Sequence, residues 1–302
     1  MTEPALVLDA VTKRFGDFVA VDALSLHIPS GCIYGFLGPN GAGKTTTLRM
    51  VMSIFYPDEG RISVLGHPNA EEIKDRLGYL PEEKGLYKKM RAAEIIAYFG
   101  RLKGLGGREA KQRAGELLDR YGLGDWKRTP CEALSKGMGQ KVQILATLIH
   151  EPDLLILDEP FSGLDPVNVE VMRDVILDMK KEGRTVIFST HVMEQAEQIC
   201  DSIFLINGGK KILDGTLEEI KSGRGQGIRL DYDGDATFIK DLPGVTRVNN
   251  AGKTAEIFLD DGKDPQQLLE SLVPRLTIRR FDIREPSLHE IFVRSVKGAA
   301  NG

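Results

Sequence analysis

Cys32-Ile33-Tyr34-Gly35-Phe36-Leu37-Gly38-Pro39-Asn40-Gly41-Ala42-Gly43-Lys44-Thr45-Thr46 runs from a continuous apolar segment into a glycine-rich loop and out again into a helix. Apolar residues without polar alternation over Cys32 to Leu37 are expected of a strand covered on both faces, as in a parallel sheet. Gly38 to Thr45 satisfies GxxxxGK[ST], and it stands between strand and helix as that pattern requires. The glycines let backbone N–H groups converge on phosphate oxygens, and the N-terminus of the helix from Lys44 to Met52 adds partial positive charge. Lys44 reaches the β- and γ-phosphates, and Thr45 can ligate Mg²⁺. The loop is expected to bind a nucleoside triphosphate.

Downstream, Leu154-Leu155-Ile156-Leu157-Asp158-Glu159 carries four apolar residues into two carboxylates, which should emerge at the C-terminal edge of the same sheet. There Asp158 would belong to the Mg²⁺ shell and Glu159 would orient the attacking water, since positioning and electrostatics carry most of phosphoryl transfer. A second apolar run, Thr185 to Ser189, follows a helix at about Val169 to Lys181 and restores the βαβ alternation. Upstream, Ala5 to Ile28 alternates in short runs broken at Gly16-Asp17, an antiparallel hairpin pattern. Between Glu82 and His150 the spacing is helical, as in Ala93 to Phe99 and Glu116-Leu117-Leu118. The expected fold is therefore α/β: a P-loop NTPase core with a parallel sheet, an N-terminal antiparallel β subdomain, an inserted helical subdomain over about 82–150, and a small C-terminal α+β domain.

The C-terminal boundary is placed at the linker-like Ser222-Gly223-Arg224-Gly225-Gln226-Gly227, giving domains 1–221 and 222–302. Past it, Ile228 to Tyr232, Val245 to Asn249, Ala255 to Leu259 and Leu276 to Ile283 read as strands, with helices near Ala236 to Leu242 and Pro265 to Leu272. That βαββαβ order is compatible with a ferredoxin-like arrangement.

Five further features, in one order over about residues 5–220, resemble the ABC ATPases. Leu134-Ser135-Lys136-Gly137-Met138 resembles their LSGGQ signature, Ser162-Gly163-Leu164-Asp165 their D-loop, and Ser189-Thr190-His191 their switch-histidine strand end. Phe15 resembles the aromatic that stacks on adenine, and Glu82 stands where the family usually has its Q-loop glutamine. The resemblance implies an ATPase fuelled by ATP and Mg²⁺, with Gly38 to Thr46 and Phe15 holding nucleotide, Glu159 and His191 catalytic, and the metal on Thr45 and Asp158, with Glu82 as a further candidate. It implies two ATPase subunits, each supplying its signature to the other's nucleotide, and a separately encoded transmembrane permease. Lys136 and Met138 replace the signature's Gly and Gln, whereas Ser135 and Gly137 are kept. Single-domain ATPases that power export of drugs, ions, lipids or polysaccharides resemble this variant, and their ends resemble Glu285-Pro286-Ser287-Leu288-His289-Glu290-Ile291-Phe292.

The chain's 302 residues are 41% hydrophobic and 28% charged, which excludes disordered and collagen-like classes. A net charge of -4 argues against duplex-DNA binding. Cys32, Cys131 and Cys200 are too scattered for a disulfide framework or a zinc site, and no secretory or membrane-spanning segment is legible. A cytoplasmic protein, peripheral on the inner face of the cell membrane through its permease, is expected. The rival is a soluble ABC ATPase acting on ribosomes or DNA, but the chain has neither two nucleotide domains nor a coiled coil between the carboxylate and phosphate motifs. From Lys84 to Arg113 nine basic residues face two acidic ones, so an acidic protein carries one strongly basic helical segment, read as facing anionic lipid or acidic permease loops.

Overall fold

The computed structural model describes residues 3–83, 85–222, 227–260, 262–284 and 286–300. The expectations resting on Lys84, on residues 223–226 and on Glu285 lie outside the described residues. By contacts the chain divides between Gly215 and Thr216 into two compact units.

The first unit opens with strands β1 (Leu6–Phe15) and β2 (Phe18–Ile28), followed by β3 (Ile33–Leu37) and helix α1 (Lys44–Val51). Strands β4 (Glu59–Val64) and β5 (Leu77–Leu80) lead into helices α2 (Ala92–Leu102), α3 (Gly107–Arg120) and α4 (Lys136–Leu148). Then come β6 (Leu154–Asp158), α5 (Pro166–Lys181), β7 (Thr185–Thr190), α6 (Met193–Ile199), β8 (Ser202–Asn207) and β9 (Lys210–Thr216).

Strands β2, β1 and β4 form a three-stranded antiparallel sheet, the N-terminal subdomain. The larger sheet runs β5-β6-β7-β3-β8-β9, parallel through its first five strands, and the Gly208-Gly209 turn folds β9 back onto β8. Every residue of β3, β6 and β7 is buried, so the unbroken apolar runs that predicted two-sided cover are met by helices on both faces. Between the two sheets, Leu6, Leu26, Tyr34, Phe36, Leu48 and Phe204 share one core with Ile156 and Ile187.

Two helix starts follow from local chemistry. Ser135 caps α4, its hydroxyl accepting from Met138 N at 3.2 Å. Asp165 caps α5, accepting from Asn168 N at 3.0 Å, with Pro166 at the first helical position. α5 therefore begins three residues before Val169, where the apolar spacing alone placed it.

The second unit contains α7 (Leu217–Lys221), β10 (Gly227–Asp233), β11 (Val245–Ala251), β12 (Thr254–Leu259), α8 (Pro265–Leu272), β13 (Thr277–Arg284) and α9 (Leu288–Ala300). Thr216 and Glu219 form a capping box that starts α7, so the division falls ahead of this helix and not after residue 221. The sheet order is β11-β12-β10-β13, with every pairing antiparallel. The helix expected near Ala236 to Leu242 is only a 3₁₀ turn, Thr237–Asp241, because Pro243-Gly244 stops it before a second α-turn can form. Ile228, Leu230, Ile239, Ile257 and Leu272 form this unit's own core.

Among the described residues no helix is long and apolar enough to cross a membrane.

Candidate functional site

The register of the parallel strands gathers the sequence-predicted groups at one edge. Leu80 lies opposite Leu157, Asp158 opposite Ser189, and Leu37 opposite Thr190. The loops that leave β5, β6, β7 and β3 therefore emerge side by side from the C-terminal ends of their strands, where ligands bind in open α/β sheets.

Gly43 caps α1 with φ 106°, and a Cβ there would approach Ala20 O within 2.6 Å, so this position admits no side chain. The neighbouring Lys44 is only 6% exposed and donates to Gly38 O at 2.8 Å and Pro39 O at 3.3 Å. Its Nζ also stands 3.3 Å from Glu159 Oε1. Glu159 is itself buried, and its other oxygen, Oε2, meets His191 Nδ1 at 3.0 Å. Because a carboxylate only accepts, that imidazole carries a proton on Nδ1. Lys44, Glu159 and His191 thus form a continuous line of polar contacts.

Beside it runs a second line. Thr45 Oγ1 donates to Asp158 Oδ1 at 3.2 Å, and Ser189 Oγ donates to the same oxygen at 2.6 Å while accepting from Glu159 N at 2.9 Å. Glu159 adopts φ 50°, a left-handed backbone that a non-glycine residue holds only under constraint. Ser189 and the Ser162 N to Glu159 O bond at 3.1 Å supply that constraint. Asp158 Oδ2 is buried with no hydrogen-bond partner. An orphaned carboxylate oxygen beside a threonine hydroxyl suits a hard divalent cation that completes its shell with phosphate and water. The residues present fit Mg²⁺, and among the described residues no cluster of three or more His, Cys, Asp or Glu offers a metal site by itself.

The remaining candidates fall into three places. Asn40, Gly41, Ala42 and Thr46 complete the phosphate loop and the first turn of α1. Phe15 sits at the end of β1, 44% exposed, in a T-shaped contact with Phe55 at 5.6 Å and with the Lys13 ammonium over its ring at 5.6 Å. Glu82 is exposed in the loop after β5, and no hydrogen bond or ion pair joins it to Thr45 or Asp158.

Leu134 to Met138 stands apart from the phosphate loop of its own chain, with no hydrogen bond between the two among the described residues. It packs instead against Ser162 to Asp165 and the start of α5. The Lys136 ammonium lies where a Cβ on Gly163 would stand, and the Asn168 amide fills the space a Cβ on Gly137 would need. Gly163 has φ 69°, a left-handed backbone that favours glycine, whereas the Lys136 ammonium beside it is the end of a flexible side chain.

Sequence reading missed the joint made by Ser189 and a second one made by Gln140. The buried Gln140 amide donates to Pro160 O at 3.0 Å and ties α4 to the turn after Glu159. A hydroxyl inside an otherwise apolar run was the available signal for Ser189, whereas Gln140, between Gly139 and Lys141, carried none. Cys32 carries no chemistry here, since burial pushes its thiol up to about 11 and keeps it protonated.

Comparison with known proteins accords with this geometry. A family model described as "ABC transporter" matches residues 21–162, and one described as "ATP-binding protein DrrA1-3-like, C-terminal domain" matches residues 215–296. The uncharacterized ABC transporter ATP-binding protein YhaQ of Bacillus subtilis (strain 168) is 41% identical over 96% of this chain and 98% of its own. The Nod factor export ATP-binding protein I of Sinorhizobium fredii (strain NBRC 101917 / NGR234) is 35% identical over 97% of this chain and 86% of its own. A solved structure of an ATP-binding subunit of an ABC transporter, 29% identical, superposes with a TM-score of 0.66 over 72% of this chain and 92% of that one.

Proposed function

The chain belongs to the ATP-binding subunits of ABC transporters, which hydrolyse ATP to drive a transmembrane permease, and we propose that it powers export. The contacts Lys44–Glu159–His191, running beside Thr45–Asp158–Ser189, carry the hydrolytic part of this reading, and likeness to the Nod factor export subunit supports its direction.

On ATP binding, Lys44 exchanges its loop carbonyls and Glu159 for β- and γ-phosphate oxygens, while the backbone amides of Gly41 to Thr46 cradle the phosphates. Phe15 stacks on the adenine. Thr45 and Asp158 would hold Mg²⁺, which would supply positive charge beside the phosphate oxygens. Released from Lys44, the Glu159 carboxylate accepts a proton from the attacking water, and His191 holds that carboxylate in place while its Nε2 meets the γ-phosphate.

Among the described residues the signature makes no hydrogen bond to the phosphate loop of its own subunit, and it is assigned to a second subunit. Two copies enclose two nucleotides, with Ser135 and the amides at the start of α4 facing the partner's γ-phosphate. Moving an open and closed pair from 1:99 to 99:1 takes about 5.5 kcal/mol of differential affinity. Charge-assisted bonds from Lys44, Ser135 and His191, at about 1.5–3 kcal/mol each, are of the right size. Hydrolysis removes them and the pair reopens, a cycle transmitted to the permease at the membrane. Glu82, at the edge beside the carboxylates, is the group we assign to sensing Mg²⁺ or water there. The second unit is read as a ferredoxin-like accessory domain.

The test is to trap the ATP-bound state with Glu159→Gln, tag it in its host, solubilise membranes gently and identify what co-purifies. A polytopic membrane protein recovered only with ATP is expected. Ribosomes or DNA recovered without a membrane partner would overturn the reading in favour of a soluble ABC ATPase.

A further inference from the structure

The helical insertion carries a feature that the ATPase site does not use. Arg91, Arg101, Arg108, Lys111, Lys127 and Arg128 line one surface cleft of about 1000 Å³, formed by the outer face of α2, the start of α3 and the turn that follows it. Its acidic lining residue, Glu94, has a carboxylate oxygen engaged by Arg91 N at 3.1 Å. Lys127 pairs with Asp119 at 2.5 Å, but no ion pair among the described residues engages the other five cations. Elsewhere in the same unit comparable side chains are matched: Lys13 with Asp58, Arg76 with Asp153, Arg113 with Glu109 and Glu151, and Arg120 with Asp178 and Glu182. Five unmatched cations around one cleft repel each other and project a positive field from a protein whose net charge is -4.

Aromatic side chains border the same face. Tyr87 and Tyr98 are exposed and meet edge to face at 5.8 Å, and Trp126, 42% exposed, immediately precedes Lys127 and Arg128. Leu102, beside Arg101 at the end of α2, is 62% exposed. Guanidinium forks match phosphate oxygens bidentately, and Tyr and Trp place an apolar body and a polar tip at the level of lipid headgroups. The cleft itself is lined by Tyr98 among its cations, and a tyrosine suits a headgroup layer better than a soluble acidic segment.

We propose that this face binds the phosphate headgroups of an anionic lipid surface directly, orienting the subunit on the membrane without help from the permease. This goes beyond the function proposed above, and ATP hydrolysis by the same preparation tests that function separately.

Trp126 is the chain's single tryptophan and immediately precedes the cleft residues Lys127 and Arg128, so its fluorescence reports on this part of the chain. The full-length protein is mixed at low ionic strength with vesicles of phosphatidylglycerol and phosphatidylcholine in equal parts, or of phosphatidylcholine alone. Inorganic phosphate and poly-glutamate serve as soluble anions in parallel. The expected result is co-sedimentation and a blue shift of Trp126 emission with the anionic vesicles only, both abolished by about 0.5 M salt.

Arg101→Gln/Arg108→Gln/Lys111→Gln should weaken vesicle binding about a hundredfold, about fivefold per cation. Arg101→Glu/Arg108→Glu/Lys111→Glu should abolish it. Both variants replace exposed side chains and should keep the wild-type Tm and basal ATP hydrolysis. Binding equal to that on neutral vesicles would overturn the proposal, as would binding untouched by either triple variant. A Trp126 shift produced by phosphate or poly-glutamate but not by vesicles would overturn it too, in favour of a soluble anion or an acidic protein segment.

Discussion

Ser189 joins the Asp158 carboxylate to the backbone of the next residue, Glu159. Its hydroxyl donates to Asp158 and accepts from the backbone of Glu159, fixing a metal-facing oxygen and a strained catalytic residue with one side chain. Ser189→Ala is expected to leave a buried carboxylate short of a donor, at about 1–3 kcal/mol of folding stability, read as a lower Tm. Its kcat should fall more than its KM rises, because nucleotide contacts with the phosphate loop persist. Glu159→Gln keeps the shape of the side chain and removes the base. Hydrolysis should drop about 10²–10⁴-fold while binding of a fluorescent ATP analogue holds within a few-fold. Lys44, Thr45, Asp158 and Glu159 were legible in sequence because each stands at a fixed offset from a glycine or a strand end. Ser189 was quoted only as part of a strand end, since nothing in Val186 to Thr190 distinguishes a hydroxyl aimed at Asp158 from one aimed at another neighbour.

At the scale of elements, caps decided the boundaries that periodicity blurred. Asp165-Pro166 started α5 ahead of its apolar stripe, and Pro243-Gly244 reduced an expected helix to a 3₁₀ turn. The far end of α4 is held differently. His150 donates from Nε2 to Leu77 O at 2.9 Å, tying the exit of the helical insertion to β5. Burial lowers the pKa of this imidazole below its usual value, against a smaller upward pull from the Leu77 carbonyl. The folded state therefore takes up the proton less readily than the unfolded chain. The stability contributed by neutral His150 is present above the unfolded pKa of about 6.5 and is lost as pH falls from there through the lower folded value. Between pH 7.5 and 5 the wild-type Tm should drop more than that of His150→Gln. Parallel curves for the two proteins would show that this histidine is not the titrating group.

At the scale of the molecule, the separation of the signature from the phosphate loop has a testable consequence. With Glu159→Gln, ATP should convert monomers to dimers in sedimentation velocity, and ADP should not. Adding Ser135→Glu should prevent that conversion by setting a carboxylate against the partner's γ-phosphate, while each monomer still binds ATP. Dimers that persist with Ser135→Glu would remove the signature from the interface.

Sequence alone determined the α/β core, the phosphate loop, the paired carboxylates, the helical insertion and a separate C-terminal module. Each rests on patterns carried within about fifteen neighbouring residues, where periodicity, glycine placement and strand ends act locally. Only the tertiary structure decided that β7 lies between β6 and β3, which sets Ser189 between the two motifs. It also decided that Lys136 rests on Gly163, and that cations from two helices and a turn converge on one cleft. These are meetings of segments far apart in the chain. They are set by strand order, register and helix packing, and a one-residue shift of register, invisible to local composition, would dissolve them.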